Sequence, residues 1–179
     1  MNRREGMPKN KTRPQIDILS WDEIDRLSRE LAASIPCKPD VIVAVMRGGA
    51  VVSTILANEL EVEVVASIKV IQGNQVPGMS ERSVMVVPLN NYDFRNKDVL
   101  IVDDVLDSGE SLLVVQDALE RYQPKSSKVA VLQKKSYSKF NPDYFVEERT
   151  NWIFYPWMSQ KELKEMELKI VLVNAQEDV

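Results

Sequence analysis

The 179-residue chain has no histidine and a single cysteine, Cys37. Without histidine it can build neither Ser-His-Asp nor Cys-His nucleophilic machinery, nor a His-ligated metal centre. One cysteine excludes an intrachain disulfide and a Cys-rich zinc site, and the expected compartment is the cytoplasm. Acid–base chemistry is left to carboxylates, lysines and backbone groups. Long apolar runs are missing as well. No stretch is long enough to span a bilayer, and the opening MNRREGMPKNKTRP lacks the apolar centre of a signal peptide, so no membrane partner is expected.

Net charge is small, at −4 from 23 basic and 27 acidic residues, but it is unevenly placed. Residues 1–15 carry Arg3, Arg4, Lys9, Lys11 and Arg13 against Glu5, which leaves the remainder at −8. Such a Pro-, Asn- and Lys-rich start reads as a disordered basic arm. An acidic body argues against nucleic acid as a partner. At this length and with 44% hydrophobic residues, positions 16–179 are expected to form a single domain.

What the chain does have is an alternation of apolar runs and amphipathic segments. Ser20-Trp21-Asp22-Glu23 fits a capping box, and Ile24, Leu27, Leu31 and Ile35 follow at helical spacing until Pro36. The β-branched run VIVAV, 41–45, reads as a strand that ends in Arg47-Gly48-Gly49, with a helix after it. Residues 62–71 predict another strand with Lys69 in its middle, and the Gly- and Pro-containing 72–83 predict a loop suited to a mobile flap. VMVVPL reads as a returning strand. VLIVDD reads as a strand buried on both faces, followed by a helix from about Glu110 to Tyr122. KVAVL, DYFVEE and WIFYPW complete the strands, with Trp157 expected in the core, and Ser159 to Glu162 caps a last short helix before KIVLV. The order implies an α/β fold with a mainly parallel central sheet flanked by helices.

The chemistry concentrates where strands end. Asp103, Asp104 and Asp107 fall within five positions, followed by the small loop Ser108-Gly109-Glu110-Ser111. Buried carboxylates are costly unless paired or given a cation or polyhydroxylated ligand. In open α/β sheets ligands bind beyond the carboxyl ends of strands. The loop 107–111 joins a strand to a helix N-terminus, where free N–H groups favour phosphate. Arg47-Gly48-Gly49 repeats the device with a guanidinium and suits a second, more charged phosphate. Two phosphate cradles flanking a diol reader describe a sugar bearing phosphate groups at both ends. The acidic pair would also suit magnesium held partly by ligand oxygens.

The run VLIVDDVLDSGESL closely resembles the signature of the type I phosphoribosyltransferases, and VIVAVMRGGAVVSTILANEL resembles their pyrophosphate loop and its helix. KVAVLQKKS and PDYFVEERTNWIFYPW are similar to the base-binding region of the xanthine-guanine and hypoxanthine-guanine branch. The resemblance spans roughly residues 20–158 and implies a type I phosphoribosyltransferase fold, with a small base-binding hood formed by terminal segments, about 135–179. It implies transfer of phosphoribosyl from phosphoribosyl pyrophosphate to N9 of a 6-oxopurine (guanine, xanthine or hypoxanthine), with Mg2+ as cofactor. Asp103 and Asp104 would then bind the ribose hydroxyls and help organise magnesium. Asp107, Ser108, Gly109, Glu110 and Ser111 would hold the 5-phosphate, and Arg47, Gly48 and Gly49 the pyrophosphate. Asp107 would accept the N7 proton. Lys135, with Lys134 as the one-residue alternative, would donate to O6, while Trp152 stacks on the purine and Ile153 reads its edge. The resemblance further implies a homodimer or homotetramer.

Two departures stand out: serine replaces the usual loop threonines and keeps their hydroxyls, and Glu110 adds an acid beside the proposed phosphate. The alternatives are a regulatory module that senses phosphoribosyl pyrophosphate and binds nucleic acid, and a phosphoribosyltransferase for another base.

Overall fold

A computed structural model describes residues 15–72, 84–87 and 92–177; the basic arm and nearly all of the 72–83 loop lie outside these. In chain order the elements are β1 (Ile16–Ile18), α1 (Trp21–Ser34), β2 (Val41–Val45), α2 (Gly48–Glu59), β3 (Val65–Gln72), β4 (Val84–Val87), β5 (Asp98–Leu106), α3 (Glu110–Glu120), β6 (Ser126–Lys135), β7 (Tyr144–Arg149), β8 (Trp152–Phe154) and α4 (Gln160–Glu177). They group into two units, a larger one over 20–150 and a smaller one made of 1–19 and 151–179. Among the described residues no helix is long and apolar enough to cross a membrane.

The larger unit is built on a six-stranded sheet in the order β4-β3-β2-β5-β6-β7. Every neighbouring pair is parallel except β3 with β4. Side chains alternate between faces along a strand, so the uninterrupted apolar runs of β2 and β5 supply both. Val41, Val43, Ile101, Val129 and Val131 join Leu112, Val115 and Leu119 of α3 and the buried Phe94 in one cluster. Ile42, Ala44, Leu100 and Val102 are buried on the opposite face, the side served by α1 and α2. Truncating a fully buried residue such as Ile101 to alanine would cost about 2–5 kcal/mol. Helix α1 starts as its sequence predicts: the Glu23 N–H donates to Ser20 Oγ (3.2 Å) and the Ser20 N–H to Glu23 Oε2 (2.8 Å).

Strand β5 runs two residues past the acidic pair, to Leu106, instead of ending at it. The reason is pairing. The β2–β5 ladder stops at Ala44↔Val102, whereas the β5–β6 ladder continues through Asp103↔Val131 to Leu106↔Lys134. Both carboxylates therefore sit on a strand whose β2 side has been vacated by the Arg47-Gly48-Gly49 turn.

In the smaller unit β1 pairs parallel with β8, in the register Ile16↔Trp152 to Ile18↔Phe154. A three-residue strand reading Ile-Asp-Ile carries too little periodicity to be predicted, and the sequence reading missed it. The last helix differs from expectation: it is 18 residues long and absorbs KIVLV. Its capping box forms, with the Ser159 N–H donating to Glu162 Oε2 at 2.7 Å, and no Pro or Gly follows to stop it. Trp157 is half-buried rather than core, and stacks on the buried Tyr155 with ring centroids 4.6 Å apart.

Candidate active site

The larger unit brings together the glycine turn after β2 and the acidic pair on β5. Gly48 and Gly49 are buried and open α2 directly. A Cβ on Gly48 would overlap the Asp104 carboxyl, and one on Gly49 would overlap the Val102 carbonyl and approach the Asp103 Cα to 3.0 Å. A side chain at Gly48 would displace the Asp104 carboxyl and one at Gly49 would run into the β5 backbone, because the two loops interlock. Arg47, at the helix N-cap, is exposed.

The Asp103 carboxylate accepts the Asp104 N–H at 2.9 Å and the Gly49 N–H. Asp104 Oδ1 in turn accepts the Val105 N–H at 2.8 Å. Burial, then the adjacent Asp104 charge, pushes the Asp103 carboxyl well above the usual range despite these donors. A group held at that cost is suited to a ligand that supplies hydroxyl donors or positive charge.

Among the described residues no cluster of three or more His, Cys, Asp or Glu side chains converges. The paired carboxylates fit a hard divalent cation that takes the rest of its shell from water and substrate oxygens, as magnesium does.

Beyond Leu106 the chain makes the predicted loop. Gly109 has φ +90°, a conformation that disfavours any side chain, and its place against Phe140 leaves no room for one. It caps α3 without a side-chain hydrogen bond to the helix. The first-turn N–H groups of such a helix lack intrahelical partners and suit a phosphate. Ser108 Oγ accepts the Glu110 N–H at 3.3 Å. Ser111 is half-buried and Glu110 exposed.

Asp107 is exposed, and its Oδ1 accepts a hydrogen bond from the Tyr137 hydroxyl. Sequence reasoning missed Tyr137. It stands in the connection 136–143 between parallel strands β6 and β7, 30 positions from its partner, and no local pattern couples the two.

The two lysines at the end of β6 have different surroundings. Lys134 Nζ donates to Asn141 Oδ1 at 2.8 Å, whereas Lys135 is 94% buried, with 6% of its surface exposed. Lys69 is exposed on β3. Trp152 and Ile153 belong to the smaller unit. Trp152 is 37% exposed, with the Lys169 ammonium 5.7 Å from its ring centroid, and Ile153 is buried.

A family model for the phosphoribosyl transferase domain matches residues 15–161. The xanthine-guanine phosphoribosyltransferase of Roseobacter denitrificans is 31% identical over 151 residues, covering 78% of this chain and 83% of the relative. Among solved structures, the purine phosphoribosyltransferase from Pyrococcus horikoshii superposes with a TM-score of 0.73 at 32% identity, over 80% of this chain and 94% of that one. The Helicobacter pylori xanthine-guanine-hypoxanthine phosphoribosyltransferase does so with a TM-score of 0.70 at 26% identity, over 84% and 99%. The chain therefore belongs to the phosphoribosyl transferase domain family, as an enzyme of the type I fold similar to the xanthine-guanine phosphoribosyltransferases.

Proposed function

We propose that this enzyme transfers the 5-phosphoribosyl group of phosphoribosyl pyrophosphate to N9 of a 6-oxopurine, releasing pyrophosphate and a nucleoside 5-monophosphate. The observation that carries the reading is the interlock of Gly48-Gly49 with Asp103-Asp104, which sets a pyrophosphate cradle against a ribose-diol reader with no space for a side chain between them. The names of the relatives point to the same substrates.

Asp103 and Asp104 accept hydrogen bonds from the ribose hydroxyls and so fix the sugar. The loop from Asp107 to Ser111 holds the 5-phosphate with backbone donors and two serine hydroxyls, Glu110 being exposed and able to point away. Departing pyrophosphate leaves an oxocarbenium-like anomeric centre, so negative charge grows on the leaving group. Arg47 and the N–H groups of the glycine turn are the chain's own means of stabilising it. When bound, Mg2+ supplies further neutralisation of that charge, with Asp103 and Asp104 as the residues that would hold it through substrate oxygens. Asp107 accepts the N7 proton as N9 attacks. Lys135 donates to O6, a choice its ammonium makes against the amino group of adenine. Trp152 stacks on the purine and Ile153 reads its edge from the backbone. As in the family it resembles, the enzyme acts as a homodimer or homotetramer in the cytoplasm.

The test is pyrophosphate release by purified protein with phosphoribosyl pyrophosphate and magnesium, against guanine, hypoxanthine, xanthine, adenine, uracil and orotate in parallel. Release confined to the oxopurines is expected. Release with adenine or a pyrimidine would move the substrate assignment to another base. Silence with every base, together with tight phosphoribosyl pyrophosphate binding, would replace the enzyme reading with a sensor.

A further inference from the structure

We propose that Tyr137 is a positioning residue for Asp107: its hydroxyl fixes one carboxylate oxygen so that the other is presented to the purine N7–H. The inference rests on the reading of Asp107 as proton acceptor and adds to it a residue outside the signature loop.

The geometry begins with the hydrogen bond from Tyr137 to Asp107 Oδ1. An exposed aspartate at the mouth of a loop would otherwise sample several rotamers, and a hydrogen bond in which the acceptor is ionised is among the stronger kinds. The donor is itself held. Both of its chain neighbours are anchored: the Ser136 N–H donates to the Arg149 carbonyl (3.3 Å) and the Ser138 N–H to the Lys135 carbonyl (3.0 Å). Three residues further on, Phe140 packs against the core cluster and lies over Gly109, where a Cβ would come within 2.6 Å of its own Cβ. Lys134 closes the connection through Asn141 at 2.8 Å. The segment carrying Tyr137 is thus seated on the loop carrying Asp107, and the tyrosine has a fixed base from which to act.

The chemistry follows from the acceptor count. A carboxylate has two oxygens, and a donor on Oδ1 leaves Oδ2 for the base. Desolvation, and then Asp107 itself, push the Tyr137 hydroxyl up to about 12, so it keeps its proton at any assay pH and remains a donor. Orientation paid for before substrate arrives lowers the barrier of the chemical step without adding to substrate binding. The effect therefore belongs in kcat.

The experiment is steady-state kinetics of Y137F, which removes only the hydroxyl from an exposed ring, with phosphoribosyl pyrophosphate and the best oxopurine. The expected result is a fall in kcat of about tenfold, the size of a lost hydrogen bond to a charged group, with KM for phosphoribosyl pyrophosphate held within about twofold. In a D107N background, followed by single-turnover formation of radiolabelled product so that slow rates are readable, adding Y137F is expected to change nothing. An unchanged or increased kcat in Y137F overturns the proposal, an increase marking the contact as an inhibitory latch. So does a change confined to KM, or a full loss that persists in D107N. A wild-type enzyme silent with every oxopurine, or a fully active D107N, refutes the parent reading and this proposal together. An active wild type indifferent to Y137F refutes this proposal alone.

Discussion

Alanine at Gly48 tests whether the glycine turn and the acidic pair behave as one interlocked element. The added methyl would enter the space of the Asp104 carboxyl, so that side chain must swing aside. At Gly49 the same methyl meets backbone, 3.0 Å from the Asp103 Cα and 3.2 Å from the Val102 carbonyl carbon. A carboxyl group on two rotatable bonds can move, whereas the β5 backbone, held by β2 as far as Val102 and by β6 through Asp103 and beyond, cannot. For G48A, overpacking costs about 1–3 kcal/mol, and alanine in place of glycine in the first turn of α2 returns up to about 1 kcal/mol. The net loss of about 0–3 kcal/mol lowers Tm by at most about 12 °C, at roughly 2–4 °C per kcal/mol for a chain of this size. Binding suffers more. A displaced Asp104 forfeits a charge-assisted hydrogen bond of about 1.5–3 kcal/mol, which weakens phosphoribosyl pyrophosphate roughly ten- to hundredfold. G49A should instead lose stability at or beyond the top of that overpacking range of about 1–3 kcal/mol. Calorimetric titration with phosphoribosyl pyrophosphate and magnesium, beside thermal unfolding followed by circular dichroism, separates the two variants. Wild-type affinity in G48A, or equal destabilisation of both variants, would refute the reasoning.

Three further outcomes are expected. Exchanging Lys135 for methionine should abolish the preference for oxopurines over adenine, while K134M, which removes the exposed bond to Asn141 and the ammonium 5.8 Å from the Phe145 ring centroid, should change kcat/KM by less than about threefold; a reversed pattern in the base panel would move the O6 donor to Lys134. W152A should raise KM for the purine by roughly ten- to hundredfold, from about 1–3 kcal/mol of stacking, and leave KM for phosphoribosyl pyrophosphate in place; equal changes in both constants would remove Trp152 from the base site. Ser53 is fully buried in α2 with no hydrogen-bond partner for its hydroxyl among the described residues. S53A should therefore leave Tm unchanged or raise it by a few degrees, since only a desolvated polar atom is lost, and a marked fall in Tm would show that the hydroxyl is satisfied.

The elements most legible in the sequence were those whose cause is local. The capping box at Ser20 and Glu23 forms with the partners its spacing dictates. The apolar runs of β2 and β5 are buried on both faces, as uninterrupted β-branched sequences require. The acidic pair was legible as residues and misplaced as structure, because the end of β5 is set by its ladder with β6 rather than by its own composition. Helix α4 was underestimated for a related reason: KIVLV satisfies a strand as well as a helix, and the upstream cap with no later breaker decides for the helix.

By itself, then, the sequence determined the α/β order, the two glycine-bearing loops and the absence of any histidine or disulfide chemistry, because each is written in neighbouring residues or in composition. The tertiary structure alone decided which loops touch. It set Gly48 against Asp104, Phe140 over Gly109 and Tyr137 onto Asp107, and it paired β1 with β8 across more than a hundred intervening positions. Those contacts join residues far apart along the chain through strand order and packing, and side-chain periodicity carries no information about them.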